Sequence, residues 1–216
     1  MKVDLHTHSI ASKDGGIRAE QYEEIITSGR LNSIAITDHN RIDFALSLSA
    51  KYPANIIVGE EIMTSDGEII GLFLKENIEP GLTPLQTSIK IKEQGGLVYV
   101  PHPFETVRSG ITFEGLNSIK ELVDIIEAFN GRALFQNFGD KATDWAKEND
   151  IVTAASSDAH GYKGLSYGYS LLKDAPNSEN LLKLLSTAKL VKGRAPLKTL
   201  LYPKINRIRK SLRTNE

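Results

Sequence analysis

Apolar and polar residues along the chain follow two repeating patterns, one typical of strands and one of amphipathic helices. Short apolar runs such as SIAIT, NIIVG and LVYV predict buried strands. Between them, segments such as RAEQYEEIITSG and LQTSIKIKEQGG repeat their apolar residues at helical spacing and end at glycine, which predicts helices. Strands separated by helix-length segments are typical of βαβ units with a parallel sheet. The pattern therefore predicts an α/β protein.

The alternation of strand and helix continues through most of the chain. About seven such units are suited to a closed or nearly closed barrel, and 216 residues suffice for one. The runs NIIVGEEIM and EIIGLFL flank the turn sequence TSDG, which favours an antiparallel pair. Further on, SIKELVDIIEAFNG predicts a helix that runs into a strand, and GYSLLKD predicts a late strand.

We predict one domain over residues 1–200 and a basic tail over residues 201–216. Apolar residues Ile205, Ile208 and Leu212 recur at helical spacing in the tail, which predicts a docking helix. Contact between this tail and a phosphate backbone is a less favoured interpretation.

The amino-acid composition excludes several kinds of functional site. The chain has no cysteine, which excludes disulfides, thiolate metal sites and cysteine nucleophiles, so any metal site must use nitrogen and oxygen ligands. A formal net charge of −1 does not favour a protein-wide nucleic-acid surface. With no basic-then-apolar leader and no apolar run long enough to span a membrane, we expect a cytoplasmic protein with no membrane partner.

All five histidines follow predicted strands, at the point where each strand gives way to a loop. They are His6, His8, His39, His102 and His160. The C-terminal ends of parallel strands meet on one face of a sheet or barrel, where sites are built. We therefore expect the imidazoles to lie together.

Carboxylates accompany these histidines. Asp38 precedes His39, Glu60 and Glu61 end a predicted strand, and Asp158 shares strand parity with the nearby histidine of SDAH. Neutral imidazoles with carboxylates suit borderline divalent ions such as Mn²⁺, Fe²⁺ and Zn²⁺. The alternative, a set of buried hydrogen-bonded polar residues, explains any one histidine better than it explains the whole set.

Taken in order, the segments DLHTHS, TDHN, GEE, PHP and SDAH resemble the motifs of the polymerase and histidinol phosphatase (PHP) family. The likeness runs from Lys2 to about Asp174. It implies a distorted seven-stranded (β/α) barrel, similar to a TIM barrel, with a metal site at the C-terminal ends of the strands. It also implies two or three bound divalent metal ions (Mn, Fe or Zn) and cleavage of phosphate esters.

The resemblance also implies nine metal ligands in three positions, with one glutamate shared between two of them. The ligands are His6, His8, Glu61 and Asp158 for the first ion, Glu61, His102 and Glu68 for the second, and Asp14, His39 and His160 for the third. Because GEE contains two adjacent glutamates, Glu60 is the alternative to Glu61.

Glu68 departs from the family pattern, because many members have a histidine at this position. A carboxylate can replace an imidazole as a ligand of Mn²⁺, Fe²⁺ or Zn²⁺. The alternative is that Glu68 is a solvated turn residue. In that case the second position would be weaker.

The predicted chemistry is hydrolysis of a phosphate monoester of a small metabolite, such as a nucleotide or histidinol phosphate. The nucleophile would be a metal-bound water, held by Glu61 and the other ligands and acidified to hydroxide. Arg108, Arg132 and Asn40 follow strand ends and are candidates for binding the substrate phosphate. The alternatives are loop-bracing ion pairs for the arginines and a turn role for Asn40.

Two other functions stay open. One is a nuclease that acts on single-stranded ends, which the basic residues between Lys204 and Arg213 would serve. The other is a non-catalytic accessory subunit with this barrel, which the full ligand set argues against. A small phosphorylated substrate is the favoured partner over nucleic acid, and the sequence does not indicate an oligomeric state.

Overall fold

Strands and helices alternate along the chain, and the computed structural model describes residues 1–134 and 136–213. The strands are β1 (Lys2–Asp4), β2 (Ser33–His39), β3 (Ile56–Met63), β4 (Glu68–Leu72), β5 (Leu97–Val100), β6 (Ile125–Asn130), β7 (Val152–Ser156), β8 (Gly168–Leu171) and β9 (Lys189–Lys192). The α-helices are α1 (Ala19–Thr27), α2 (Asp43–Ser49), α3 (Pro84–Glu93), α4 (Phe113–Ser118), α5 (Gly139–Glu148), α6 (Leu181–Leu185) and α7 (Tyr202–Arg213). Short 3₁₀ helices lie at Lys120–Leu122, Tyr162–Gly164 and Leu197–Leu201.

The strands form one mixed sheet in the order β7-β6-β5-β4-β3-β2-β1-β8-β9. Strands β1 to β3 are parallel, β4 is antiparallel to both β3 and β5, and β5 to β7 are again parallel. The antiparallel pairing of β3 with β4 is the one that the TSDG turn favours. An α/β fold is confirmed, with a sheet that is mixed instead of wholly parallel.

The predicted strand count of seven is wrong, because the described residues contain nine strands. Strands β8 and β9 add to the edge of β1 as an antiparallel pair. The sequence of β9, KLVK, carries exposed lysines at both ends, so it lacks the apolar run that marks the other strands. The family-derived count omits this extension of the sheet.

The two ends of the sheet approach each other, which makes the sheet barrel-like. The Oγ of Ser170 on β8 accepts a hydrogen bond from the backbone N–H of Ala155 on β7 at 3.0 Å and donates one to its carbonyl at 3.3 Å. Gly168 is required at this seam, because a Cβ there would collide with the carbonyl oxygen of Ser156. Just past the ends of β1 and β7, the backbone also joins the two sides, because Thr7 and Ala159 form a parallel bridge.

Helix boundaries follow the sequence pattern in several places. Helices α1 and α3 are soon followed by Gly29 and Gly95, whose φ angles of 67° and 76° are left-handed and suit glycine. The helix predicted to begin at Ser118 is wrong in its position. Helix α4 ends there, and the segment that leads into β6 forms only the 3₁₀ turn Lys120–Leu122.

Apolar residues form two layers separated by the sheet. On the outer face, Ile34 and Ile36 of β2 belong to a cluster that includes Tyr22 and Ile25 of α1. The second cluster collects the intervening residues, such as Ala35, together with Leu181 and Leu185 of α6. Alternate residues of a strand therefore face opposite layers, as strand geometry requires. No helix in the described part of the chain has both the length and the apolar character to span a membrane.

Candidate metal centre

The nine predicted ligand side chains lie together at the end of the barrel where the parallel strands finish. Seven of them line a cavity of about 470 Å³, and His6 and His8 lie buried beside it. Their ligand atoms form overlapping groups in which all atoms lie within 4.8 Å of one another. The groups are His8, Asp14, His39 and His160; His6, His8 and Asp158; His6, Glu61 and His102; and His39, Glu61 and Glu68.

The two histidines that follow β1 point their Nε2 atoms at the same place. His6 Nε2 lies 3.1 Å from His8 Nε2. The other ring nitrogen of His6, Nδ1, lies 3.1 Å from Glu127 Oε1. Because an ionised carboxylate can only accept, Nδ1 carries a proton, and the neutral form of the ring offers the lone pair of Nε2 to the cluster. His6 is thus held in the tautomer that binds a metal.

Glu61 lies at the centre of the cluster, and each of its oxygens faces two imidazoles. Oε1 lies 3.1 Å from His102 Nε2 and 3.4 Å from His6 Nε2. Oε2 lies 3.3 Å from His8 Nε2 and 3.2 Å from His39 Nδ1. This is the arrangement of a carboxylate that bridges two ions.

Strand alternation places Glu61 in the site and excludes Glu60. On β3, Ile57 belongs to the second apolar cluster, the one that contains Ala35. Glu61 lies four residues further along the strand and therefore projects to the same side of the sheet. Glu60 projects to the opposite side, where its Oε2 accepts a hydrogen bond from the backbone N–H of Ile78 at 2.9 Å. Burial raises the pKa of Glu60 to about 7.

Glu68 is 5% exposed at the start of β4, which excludes the solvated turn position. Its Oε1 lies 3.3 Å from His39 Nδ1, and its Oε2 lies 3.9 Å from His102 Nε2. Burial and repulsion by Glu61 raise the pKa of Glu68. The side chain stands beside the second predicted position, but it is closer to His39, which the resemblance assigns to the third.

Asp14 and the histidines of the third predicted position lie together in the lining of the cavity. Asp14 Oδ1 lies 3.5 Å from His39 Nε2 and 3.7 Å from His160 Nε2. Its Oδ2 accepts a hydrogen bond from Arg207 at 2.9 Å. Burial and His8 lower the pKa of His160 to about 3, so this imidazole is neutral, which is the form that ligates.

Positively charged neighbours hold the carboxylates at the centre of the cluster in their ionised form. Burial alone would raise the pKa of Glu61, but His6 and His39 lower it well below its usual range. In the same way, burial would raise the pKa of Asp158, but Arg132 and His6 lower it. Both carboxylates are therefore ionised at neutral pH and available as ligands.

The spacing of the donor atoms fits divalent metals. Two ligands each about 2.0–2.2 Å from one ion lie roughly 3.0–3.5 Å apart in a tetrahedral or octahedral shell. Distances from Glu61 to its four imidazole neighbours run from 3.1 to 3.4 Å. An all-nitrogen and oxygen set of imidazoles and carboxylates suits Mn²⁺, Fe²⁺ or Zn²⁺.

Three of the eight non-glycine residues with positive φ angles in the described part of the chain are predicted site residues. His102, Asp158 and Asn40 have positive φ angles of 28°, 52° and 54°. Non-glycine residues in this region are uncommon and cluster at functional sites, where the surrounding structure holds them.

The predicted phosphate-binding residues all line the cavity, but they differ in how they are used. Arg108 Nη1 lies 2.9 Å from Asp158 Oδ2, and Arg132 Nη1 lies 3.2 Å from Asp158 Oδ1. Asn40 Oδ1 accepts from the backbone N–H of Met63 at 2.9 Å, so the Asn40 side chain braces β3. The arginines therefore remain candidates for binding an anion, whereas Asn40 has the bracing role of a turn residue.

Two groups of residues in the site escaped the sequence analysis. Glu127 is buried on β6 and bonds His6, and its signal was an acid inside the apolar run IIEAFN. Asn206 and Arg207 of α7 contact the loops that carry Asp14 and His160. The tail pattern predicts a helix but gives no sign of where the helix binds.

Comparisons with known proteins agree with this architecture. No family model matches the chain. The chain is 33% identical over 150 residues to the uncharacterized protein MJ1587 of Methanocaldococcus jannaschii, across 63% of this chain and 88% of that protein.

Two solved structures are similar in fold. One is a two-domain protein from Bacteroides vulgatus containing a predicted PHP-like metal-dependent phosphoesterase, with a TM-score of 0.61 and 19% identity over 96% of this chain and 63% of that one. The other is the lesion-specific endonuclease PfuEndoQ from Pyrococcus furiosus, with a TM-score of 0.64 and 16% identity over 88% and 57%. The chain spans less than two thirds of either solved chain. The PHP-type fold is confirmed, and the chain belongs to the same family as the uncharacterized protein MJ1587.

Proposed function

We propose that this protein is a divalent-metal-dependent phosphoesterase that hydrolyses a phosphate monoester of a small metabolite. The observation that carries the proposal is the convergence of nine imidazole and carboxylate groups beside two arginines in one cavity. The likeness to PHP-like metal-dependent phosphoesterases supports the same reaction class. The complete ligand set favours an enzyme over a non-catalytic accessory subunit.

Two or three divalent ions, when bound to these nine residues, would supply an acidified water and neutralise charge on the phosphoryl oxygens. The remaining tasks fall to the protein. His6, held by Glu127, presents Nε2 to the cluster, and Glu61 fixes the spacing between imidazoles through its two oxygens. Pre-arranged ligands of this kind do not have to reorganise during the reaction.

The arginines are placed to bind the phosphate of the substrate. Guanidinium groups match the oxygens of a phosphate in a bidentate manner, and Arg108 and Arg132 are both held at the cavity by Asp158. Arg108 is held from its other side by Glu105. The cavity volume of about 470 Å³ is in the range that takes a small organic ligand.

A nuclease that acts on single-stranded ends is the second candidate. The similarity in fold to the endonuclease PfuEndoQ supports it, as do Lys13 and Arg207, which line the cavity from the side of α7. Such an enzyme would bind oligonucleotides with an affinity that falls as salt rises.

The test is a phosphate-release screen with added Mn²⁺ over nucleotides, sugar phosphates and amino-alcohol phosphates, run beside end-labelled single-stranded oligonucleotides. Asp158→Asn should abolish release, and Asp174→Asn, at an exposed position after β8, should not. Shortening of the oligonucleotides without release from monoesters would favour the second candidate. No hydrolysis of either kind by metal-loaded protein would contradict both.

A further inference from the structure

Helix α7 lies across two loops that carry predicted metal ligands. Residues 5–18 connect β1 to α1 and contain Asp14, and residues 157–167 connect β7 to β8 and contain His160. Asn206 Nδ2 donates to the backbone carbonyl of Asp14 and to that of His160, each at 2.9 Å. One carboxamide on the C-terminal helix thus links the two loops.

Both loops are shaped to receive this helix. A Cβ at Gly16 would lie 2.8 Å from Asn206 Nδ2, and a Cβ at Gly161 would lie 2.6 Å from the ring of Tyr202. Contacts this short exclude a Cβ at either position unless the Asn206 or Tyr202 side chain shifts. Each loop therefore has a glycine where a side chain of α7 packs against it.

Two basic residues of α7 secure the first loop further. Arg207 Nη2 donates to Asp14 Oδ2 at 2.9 Å. Lys210 Nζ donates to the backbone carbonyls of Ile10 at 2.6 Å and Gly15 at 2.9 Å, and it also bonds the carbonyl of Ser12. These two side chains hold the loop around Asp14 by donating hydrogen bonds to its carboxylate and its backbone carbonyls.

The other ligands of the cluster are held differently. Glu61 and His39 lie opposite each other on the paired strands β3 and β2, and Glu127 on β6 fixes His6. His6, His8 and Asp158 lie in the same two loops as Asp14 and His160, but backbone bonds between the loops hold them. The N–H of His8 donates to the carbonyl of Ala159 at 2.9 Å, and the N–H of Asp158 donates to that of His6 at 3.0 Å. Asp14 and His160 lie beyond this pairing, which centres on the bridge between Thr7 and Ala159. The backbone carbonyls of Asp14 and His160 accept hydrogen bonds from Asn206, which lies 192 residues beyond Asp14 and 46 residues beyond His160.

We infer that Asn206 is a positioning residue, which holds Asp14 and His160 at the spacing that a single divalent ion requires. The third metal position would then form only when α7 is docked, whereas the positions built on Glu61 would not depend on it. This inference rests on the proposed function in so far as it assumes that the cluster binds metal.

The test compares Asn206→Ala and Asn206→Asp with the wild-type chain. Asn206→Asp keeps the shape of the side chain but removes the donor to both carbonyls. Arg209→Ala is the matched control, since Arg209 is exposed on the same helix. Titration with Mn²⁺ and native mass spectrometry should show one ion fewer per chain, or one ion bound 10–100-fold more weakly, in the Asn206 variants only.

Hydrogen exchange gives a second readout that needs no metal. In metal-free protein, amides of residues 9–16 and 158–164 should exchange faster in the Asn206 variants than in the Arg209→Ala control. Faster exchange together with loss of one ion supports the inference. Unchanged exchange overturns it, and so does faster exchange with full metal binding.

The two proposals fail in different ways. A wild-type chain that binds no Mn²⁺ would refute the proposed function. Hydrogen exchange would in that case still show whether α7 holds the two loops. Full loss of Mn²⁺ from the Asn206 variants, with the chain folded, would contradict the independence of the positions built on Glu61 and thus overturn the inference.

Discussion

At the scale of single residues, Glu127 shows how one buried carboxylate orients several parts of the site. Its Oε1 accepts hydrogen bonds from His6 Nδ1 at 3.1 Å and from the Tyr99 hydroxyl at 2.8 Å. Its Oε2 accepts from the backbone N–H of His102 at 2.7 Å and from Asn130 Nδ2 at 2.8 Å. Burial would raise the pKa of Glu127, but His6 lowers it, so the group is an ionised acceptor.

Replacing Glu127 by Gln should therefore weaken metal binding while the chain stays folded. An amide has only one acceptor oxygen, so two of the four donors would face an NH₂ group. Loss of such an outer partner typically lowers metal affinity 10–100-fold, which calorimetric titration with Mn²⁺ would measure. Glu121→Gln, at an exposed position, is the control. Equal affinity in both variants would contradict the positioning role of Glu127.

Arg108 gives the second prediction at this scale, because it lies between the cluster and the cavity. If it binds the ground-state phosphate, Arg108→Ala should raise KM by about tenfold or more and change kcat less. Arg108→Lys should restore part of the affinity, since it keeps the charge but loses the planar fork. Steady-state kinetics on the substrate found by the screen would measure both. An unaltered KM would remove Arg108 from the phosphate site, although it would still pair with Glu105 and Asp158.

At the scale of secondary structure, strand β3 separates two neighbouring glutamates that sequence alone leaves hard to tell apart. Glu61 lies in the candidate metal cluster, whereas Glu60 faces the outer layer, where its Oε2 accepts a hydrogen bond from the backbone of Ile78. Its Oε1 is buried with no hydrogen-bond partner among the described residues. A charge at this position is costly, because burial disfavours the ionised carboxylate.

Glu60→Gln should therefore stabilise the fold at high pH and not at low pH. The pKa of Glu60 is raised from its usual 4.5 to about 7, so the unfolded chain releases this proton at lower pH than the folded chain does. Stability of the wild type then falls as pH rises through this window, whereas Gln does not titrate. Between about pH 5 and pH 8, the difference in unfolding free energy should shift by roughly 2–3 kcal/mol in favour of the variant.

Denaturant unfolding in the presence of a chelator would measure this difference, because the chelator removes the titration of metal binding. Glu93→Gln, exposed at the end of α3, is the control and should follow the wild type. A difference between Glu60→Gln and wild type that does not change with pH would show that Glu60 titrates normally.

At the scale of the whole molecule, the features that can be predicted from the sequence are those that a local pattern of residues encodes. The glycine-ended helices α1 and α3 follow from apolar spacing, and histidines after strands come together because parallel strands end on one face. Strand β9 has no apolar run, and the contact of Asn206 with Asp14 joins residues 192 positions apart. Neither leaves a local signal. Glu127 does leave a local signal, an acid in an apolar strand. Its partner His6 lies 121 residues away and meets it only in the folded barrel.

The metal centre also has a consequence for the stability of the whole chain. Four carboxylates and five imidazoles lie around one cavity, all buried except the half-buried His39, so ions that bind them in the folded state and not in the unfolded state should stabilise the fold. An ion at 100 times its dissociation constant contributes about 2.7 kcal/mol, and each kcal/mol raises the Tm of a chain of this size by about 2–4 °C. Chelation should therefore lower the Tm by roughly 5 °C or more, and added Mn²⁺ should restore it. The Tm of Asp158→Asn should differ much less between chelator and Mn²⁺, whereas the Tm of Asp174→Asn should change as that of the wild type does. A Tm that is the same in chelator and in Mn²⁺ would mean that these nine side chains are held by hydrogen bonds among themselves.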